Sequence, residues 1–333
     1  CCRNAERETN MILTKTPLRV SLFGGGTDYP EWFIANGGAV LGMAINQFVY
    51  IGVKHMPPGQ ELSSSVPLKY RVQYSKVDNC NTVDDIKHPA VRAAIKYLNI
   101  DTPLEFHVFG DLPGRSGLGG SSAFTVGLLK ALQALLKLPA TNGLDLAREA
   151  ISLERYGIKE TVGLQDQIFA AVGGIHYINF GIDTKVLSPT IDERTKKALT
   201  DCLVLVYSGT MRDAHVIAAK QVARIAENTA SLHDLKQFAM YGMSILQHST
   251  DLAQELGRLL HETWLIKRSL HPEIASNGID NLYMYALRHG ALGGKLLGAG
   301  GGGFFLFCVP PERLPSFMQN VGVPCVKFGL DFG

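Results

Sequence analysis

Residues 117–129, "GLGGSSAFTVGLL", set three glycines and two serines directly before a run with helical spacing. Phe124, Leu128, Leu129, Leu132, Leu135 and Leu136 predict a helix to about Lys137. Ahead of them "LEFHVFGDLP" (104–113) alternates and closes on a proline turn, so it predicts a strand feeding the glycines. The first N–H groups of a helix lack intrahelical partners, and the helix dipole adds about half a positive charge there. Glycines let backbone approach a ligand where a Cβ would collide. A strand, a Gly/Ser turn and a helix therefore make an anion cradle, and phosphate binding is expected along "GRSGLGGSS", with Arg115 at its edge. Ser121 and Ser122 can cap the helix, bond phosphate oxygens or ligate magnesium. Ordinary capping explains one glycine and one serine, not the whole string. The string is not a Walker A loop, since no Gly-Lys-Ser/Thr follows, and Ser122 occupies the third glycine position of a dinucleotide fingerprint.

A second cluster, "GAGGGG" (298–303), satisfies G-x-G-x-x-G but is read in reversed context, with helix before it and the strand "FFLFCV" after. A dinucleotide fingerprint needs strand before and helix after, so NAD chemistry is not indicated. A third cluster follows "MILTKTPLRVSLF" (11–23), a strand in which Pro17 predicts an edge or bulge. By alternation Arg19, Ser21 and Phe23 share one face, and Asp28 lies just beyond the glycines.

Two carboxylates add chemistry. A helix is predicted from about Leu144 to Tyr156, and Glu154 falls on its apolar stripe with Ala147, Ala150 and Ile151. An inward carboxylate needs a cation, and magnesium bound to phosphate is one. Asp166, in "GLQDQIFAAVGG", opens a short apolar helix, where it either caps the helix or, opposite Arg19, takes a proton from a hydroxyl.

The totals narrow the class. The chain of 333 residues has 46% hydrophobic residues and a net charge of +2, enough core for two domains and no electrostatic case for nucleic acid or an anionic membrane. No apolar run approaches ~20 residues. The six cysteines form no CxxC pair and predict reduced, mostly buried thiols. Residues 1–10 lack the apolar core of a signal peptide and are expected to be disordered or tag-like. The polar stretch 181–201 is the linker candidate, giving domains at 11–190 and 191–333. The mixed order of strands and helices argues for an α+β fold.

Taken together, "TPLRVSLFGGGTDY", "LPGRSGLGGSSAF" and "LLGAGGGGFFLF" resemble, in order and spacing, the three motifs of the GHMP kinase superfamily of small-molecule kinases. Within it the text is similar to the branch of D-glycero-D-manno-heptose 7-phosphate kinases, as "GGGTDYPEWF", "HPAVR" and "QDQIFAAVGG" suggest. The resemblance implies a mixed N-terminal sheet with helices, a ferredoxin-like C-terminal sandwich and an active site between them. It implies ATP and Mg2+ as cofactors and phosphorylation of the anomeric hydroxyl of a heptose 7-phosphate in the cytoplasm. The partners would be ATP and a sugar phosphate, with a homodimer as a further expectation and neither nucleic acid nor membrane.

Residue by residue, the resemblance makes Asp166 the catalytic base with Arg19 beside it, and Ser121 and Glu154 the magnesium ligands. Gly114, Arg115, Ser116, Gly117, Leu118, Gly119, Gly120, Ser121 and Ser122 would cradle the nucleotide. Gly25, Gly26, Thr27 and Asp28 would face the sugar, Arg212 its phosphate end, and Gly300, Gly301 and Gly302 would support the site. The chain departs at Gly120, where members of the superfamily carry serine. Open alternatives are a kinase for another sugar, such as L-fucose or galactose, and a sugar sensor that kept the fold without catalysis. The absence of a Glu-His pair before Thr27 weighs against galactose, and the presence of Arg19, Glu154 and Asp166 against the sensor.

Overall fold

The long apolar segment 38–55, rich in β-branched and aromatic residues, organises the first half of the molecule. A computed structural model describes residues 11–56, 68–210 and 214–333. Residues 1–10 and Arg212 lie outside this description. Strand β1 (Ile12–Phe23) pairs antiparallel along one edge of β2 (Gly38–His55), and helix α1 (Pro30–Asn36) sits in their connection. The hairpin β3 (Tyr70–Gln73) and β4 (Val77–Cys80) precedes α2 (Pro89–Tyr97) and β5 (Leu104–Gly110). The glycine turn then enters α3 (Gly120–Leu135), followed by α4 (Gly143–Ser152), α5 (Gln165–Val172), β6 (Ile175–Phe180) and β7 (Lys185–Leu187). The far edge of β2 is shared end to end by β5 and β6, completing a seven-stranded sheet in which β3 and β5 form the parallel pair.

Helix α3 lies across this sheet at Gly127. A Cβ there would meet Thr16 Oγ1 at 2.5 Å, and the Thr14 hydroxyl donates to the Gly127 carbonyl at 3.0 Å. This close crossing brings the N-terminus of α3 to the second half of β1, where Arg19 N–H donates to the Leu118 carbonyl. Register shifts interrupt β1 at Pro17/Leu18, as the proline predicts, and at Ser21/Phe23. The second shift overturns the simple alternation: Arg19 and Ser21 line the central cavity, whereas Phe23 packs in the core.

The second half carries α6 (Glu193–Cys202), β8 (Leu203–Tyr207), α7 (Ala214–Ala223), α8 (Thr229–His248), α9 (Leu252–Ser269), α10 (Asn277–Arg288), β9 (Gly293–Leu296), β10 (Phe304–Cys308), α11 (Leu314–Asn320) and β11 (Cys325–Val326). Its antiparallel sheet runs β11-β8-β10-β9, which is the order 4-1-3-2 of a βαββαβ ferredoxin-like sandwich, with four helices in the first crossover. The stretch 181–201 is not an unstructured linker: it adds β7 to the first sheet and forms α6, capped by Asp192. The strand β9 also corrects the context of "GAGGGG", which joins two strands of a hairpin rather than following a helix. The chain end returns to the first sheet through a bridge between Leu330 and Ile45.

Among the described residues no helix is long and apolar enough to cross a membrane. Cys80, Cys202, Cys308 and Cys325 are free thiols.

Candidate active site

The sequence of the turn 114–119 forces the chain into the left-handed region three times, at Arg115 (φ 58°), Gly117 (80°) and Gly119 (75°). Gly119 is the N-cap of α3 and no serine side chain caps the helix. Of the three roles open to Ser121 and Ser122, capping is therefore not taken: glycine supplies the turn, and both hydroxyls are left for other partners. Gly119, Gly120, Ser121 and Ser122 line a cavity of about 400 Å³, and so do Gln165 and Asp166 at the start of α5. Two helix N-termini thus face one space, and each favours negative charge there.

Arg19, 4% exposed in the second half of β1, grips Asp166 with both arms of its guanidinium. Nε donates to Oδ1 at 2.7 Å and Nη2 to Oδ2 at 2.8 Å, while Nη1 donates to the Gly117 carbonyl at 2.6 Å. One side chain therefore fixes both the carboxylate and the glycine turn. Such a fork holds a planar carboxylate with little angular freedom. Asp166 does not cap α5, whose N-cap is Leu164; the first N–H of the helix, that of Gln165, donates instead to Asp28 Oδ2 at 3.4 Å.

Asp28 is 2% exposed and lines the same cavity. It accepts from Gly26 N–H at 3.0 Å and from Gln165 Nε2 at 2.9 Å. Burial, and then the negative charge of Asp166, push its carboxyl above the ordinary range. Gly25 and Gly26 share the lining, but Thr27 does not. Thr27 is wholly buried and clamps the loop to β2, its hydroxyl donating to Gly24 and Ala39 carbonyls and accepting from Ala39 N–H. Leu118 likewise points into the core, and Gly114 lies outside the lining. The side chains of Thr27 and Leu118 thus hold their turns rather than face the cavity.

Helix α4 stops at Ser152 and continues as a π-helical turn over Leu153–Ile158, which buries Leu153 and Glu154 side by side. Glu154 is 1% exposed, inward as its apolar spacing predicts. Its Oε2 accepts from Ser122 at 3.0 Å and from Gln167 at 2.5 Å, while Oε1 has no partner. Burial pushes the carboxyl up to about 7. A buried carboxylate with an orphaned oxygen suits a divalent cation. Among the described residues no three His, Cys, Asp or Glu converge on one point, so such an ion would take its remaining ligands from hydroxyls, water or phosphate. Ser121, expected with Glu154 as a magnesium ligand, is exposed in the cavity wall, and the hydroxyl that bonds Glu154 directly is that of Ser122.

The second glycine cluster presses on the first. A Cβ at Gly298 would stand 2.6 Å from Gly117 Cα, and one at Gly303 would stand 2.3 Å from the Ser116 carbonyl oxygen. Phe304 N–H donates to that carbonyl at 3.0 Å. The support expected of Gly300, Gly301 and Gly302 comes from Gly298 and Gly303 instead. Gly300 and Gly301 meet Ile274, and Gly302 meets Thr210, all in their own half.

Two lysines on the floor of the cavity escape sequence reasoning. Lys267 ends α9 inside "IKRSLH", a text that predicts a solvated last turn, yet it is 8% exposed. Lys295, 2% exposed, sits between apolar residues in "GGKLL", which is the one signal that marked it.

Residues 86–174 match the model of the GHMP kinases N terminal domain, and residues 247–321 that of the GHMP kinases C terminal domain. The chain is 28% identical to D-glycero-alpha-D-manno-heptose 7-phosphate kinase of Campylobacter jejuni, over 91% of this chain and 90% of that protein. It is 27% identical to the bifunctional fucokinase/GDP-fucose pyrophosphorylase of Arabidopsis thaliana, over 87% of this chain but only 29% of that longer protein. Among solved structures, a D-glycero-D-manno-heptose 1-phosphate kinase from Bacteroides thetaiotaomicron superposes with a TM-score of 0.76 over 97% of both chains at 22% identity, a likeness of fold.

Proposed function

This chain belongs to the GHMP kinase superfamily as a small-molecule kinase, and from that premise we propose that it phosphorylates the anomeric hydroxyl of D-glycero-D-manno-heptose 7-phosphate with ATP, giving the 1,7-bisphosphate. The observation that carries the chemistry is the Arg19–Asp166 fork, which shares its third hydrogen bond with the phosphate-loop carbonyl of Gly117. The proposed acceptor rests on the similarity to the Campylobacter kinase across nearly the whole of both proteins.

In this reading the amides of 116–122 and the N-terminus of α3 hold the triphosphate. The sugar lies over Gly25, Gly26 and Asp28 with its anomeric hydroxyl at Asp166. The hydroxyl oxygen bonds to the γ-phosphorus, the bond from that phosphorus to the bridging oxygen of ADP breaks, and the hydroxyl proton passes to Asp166. Arg19 fixes the carboxylate in line and balances its charge. The transition state of such transfers is loose, so positioning and charge neutralisation supply most of the acceleration. A magnesium ion, which would be held by Glu154 and the serines at 121–122, neutralises phosphate charge when bound.

A coupled ADP-release assay over heptose 7-phosphate, heptose, L-fucose and galactose tests the reading. Heptose 7-phosphate should give the highest kcat/KM. A higher value for L-fucose or galactose would replace the acceptor. Tight binding of ATP and sugar without ADP release would replace the kinase by a sensor.

A further inference from the structure

Lys267 and Lys295 raise a question that the phosphate loop does not answer: which charge balances two ammonium groups placed deep in the cleft? Their hydrogen bonds go to backbone carbonyls, not to carboxylates. Lys267 Nζ donates to the Leu296 carbonyl at 2.8 Å and to the Gly298 carbonyl at 2.5 Å. Lys295 Nζ donates to the carbonyls of Ser21 and Leu22 at 2.9 and 3.0 Å, at the β1 register shift where those groups leave the ladder. Carbonyls orient an ammonium without neutralising it, and each ammonium has three protons, so one donor remains on each. Both lysines line the cavity. Among the described residues neither is in an ion pair, since Arg19 has taken Asp166 and Asp28 is held by Gly26 and Gln165.

Ser21 is the independent sign of a ligand. It is 4% exposed, lines the same cavity, and its hydroxyl has no hydrogen-bond partner. Its own carbonyl is the one held by Lys295. Three donors with no protein acceptor therefore gather on one floor. Burial and then the charge of Arg19 push Lys267 down to about 7, and burial, Lys267 and Arg19 push Lys295 well below the ordinary lysine range; the nearby Asp28 opposes this in both without offsetting it. An arriving anion would reverse that.

We propose that Lys267, Lys295 and Ser21 form the subsite for a phosphate monoester on the acceptor sugar. The inference rests on the sugar-phosphate reading above and deepens it, giving these three residues the part expected of Arg212. An acceptor whose far end carries two negative charges would supply the missing counter-charge, while its hydroxyl end meets Asp166. The same chemistry could come from the γ-phosphate of the nucleotide, and a tie that only stitches β9 to β1 would need no ligand at all.

Equilibrium binding of heptose 7-phosphate and of heptose, together with their kcat/KM values and the KM of ATP, separates these sources in wild type, Lys267→Met and Ser21→Ala. The binding preference for the phosphorylated sugar should fall about 30-fold in Lys267→Met and several-fold in Ser21→Ala, as expected for lost charge-assisted and neutral hydrogen bonds. A raised KM for ATP with the sugar preference intact would assign the lysine to the γ-phosphate and overturn the proposal. A lowered melting temperature with the preference intact would leave only the structural tie and overturn it equally. Lys267→Arg, which keeps the charge, should restore part of the preference, and Ser21→Ala keeps the question open to measurement should the lysine variants not fold. Failure of wild type to turn over a heptose 7-phosphate that it binds would sink the kinase reading alone, leaving the subsite standing on the binding data.

Discussion

The two glycine-rich loops, 114–120 and 298–303, look interchangeable as text and make room for different things. In the first, a Cβ at Gly117 would already meet the Leu297 carbonyl oxygen at 2.6 Å, but one at Gly120, in the cavity wall, would meet only Leu18 at 3.7 Å, so the space at the helix entry is left to a ligand. In the second, Gly298, Gly300, Gly302 and Gly303 all have positive φ and would each drive a Cβ into protein at under 3.0 Å. The helix-entry end of the first loop is open because something must enter, whereas Gly117 and the second loop are bare because protein backbone is already there. A glycine run announces close approach of backbone, not what approaches it.

Four measurements would break or sharpen that contrast. The largest effect is expected at Gly303, where φ is +95° and a Cβ would lie 2.3 Å from the Ser116 carbonyl oxygen. Gly303→Ala should cost about 3 kcal/mol from backbone strain and overpacking, with nucleotide affinity lost as the first loop shifts. Wild-type melting would erase the distinction between the loops. Next comes Asp166→Asn, which should lower turnover about 100-fold, close to 2.7 kcal/mol of barrier, while nucleotide still binds. Near-normal turnover would remove Asp166 as base and leave the first loop a binding device only.

Glu154 gives a third test, through pH. Its folded-state value is about 7 against 4.5 for the ordinary side chain, so between those values the folded chain holds a proton that the unfolded chain has released. Its contribution is therefore full below pH 4.5 and lost as pH rises to about 7, on the order of 3 kcal/mol. Denaturation of wild type and Glu154→Gln from pH 4 to 8 should show this slope in the former alone. Affinity for Mg2+-nucleotide should rise through the same window as the carboxylate ionises, and a flat profile would contradict the assignment. The smallest effect is expected at Gly120, at the first turn of α3 and without a positive φ. Gly120→Ser should move stability by less than about 0.5 kcal/mol and the KM of nucleotide less than about 3-fold. A large change would mean that this end of the loop, too, has little room.

Much of the first half was legible because its signals are local. The strand before the turn, the helix after it, the bulge at Pro17 and the inward carboxylate at Glu154 each follow from spacings of a few residues. The readings that failed depended on distant partners. Phe23 left the cavity face because a second bulge intervened, and 181–201 became β7 and α6 because a sheet edge and α9 were there to receive them. The serines at the mouth of α3, open to several roles as text, did not cap it, since Gly119 had already turned the chain and Glu154, 32 residues on from Ser122, offered a better partner.

By itself the sequence determined the anion-binding helix start, the α+β character and, through resemblance, the superfamily. Those features depend on torsion preferences and periodicities that act within a turn or two of chain. The tertiary structure alone decided that Lys267 and Lys295 are buried, that Gly298 and Gly303 brace the phosphate loop, and that one arginine holds both Asp166 and Gly117. Where they bond, those partners stand 29 residues apart from Lys267 to Leu296, 98 from Arg19 to Gly117 and 274 from Lys295 to Ser21. Only the packing of one sheet and its helices against the other brings such residues within hydrogen-bond reach, and no local preference encodes that distance.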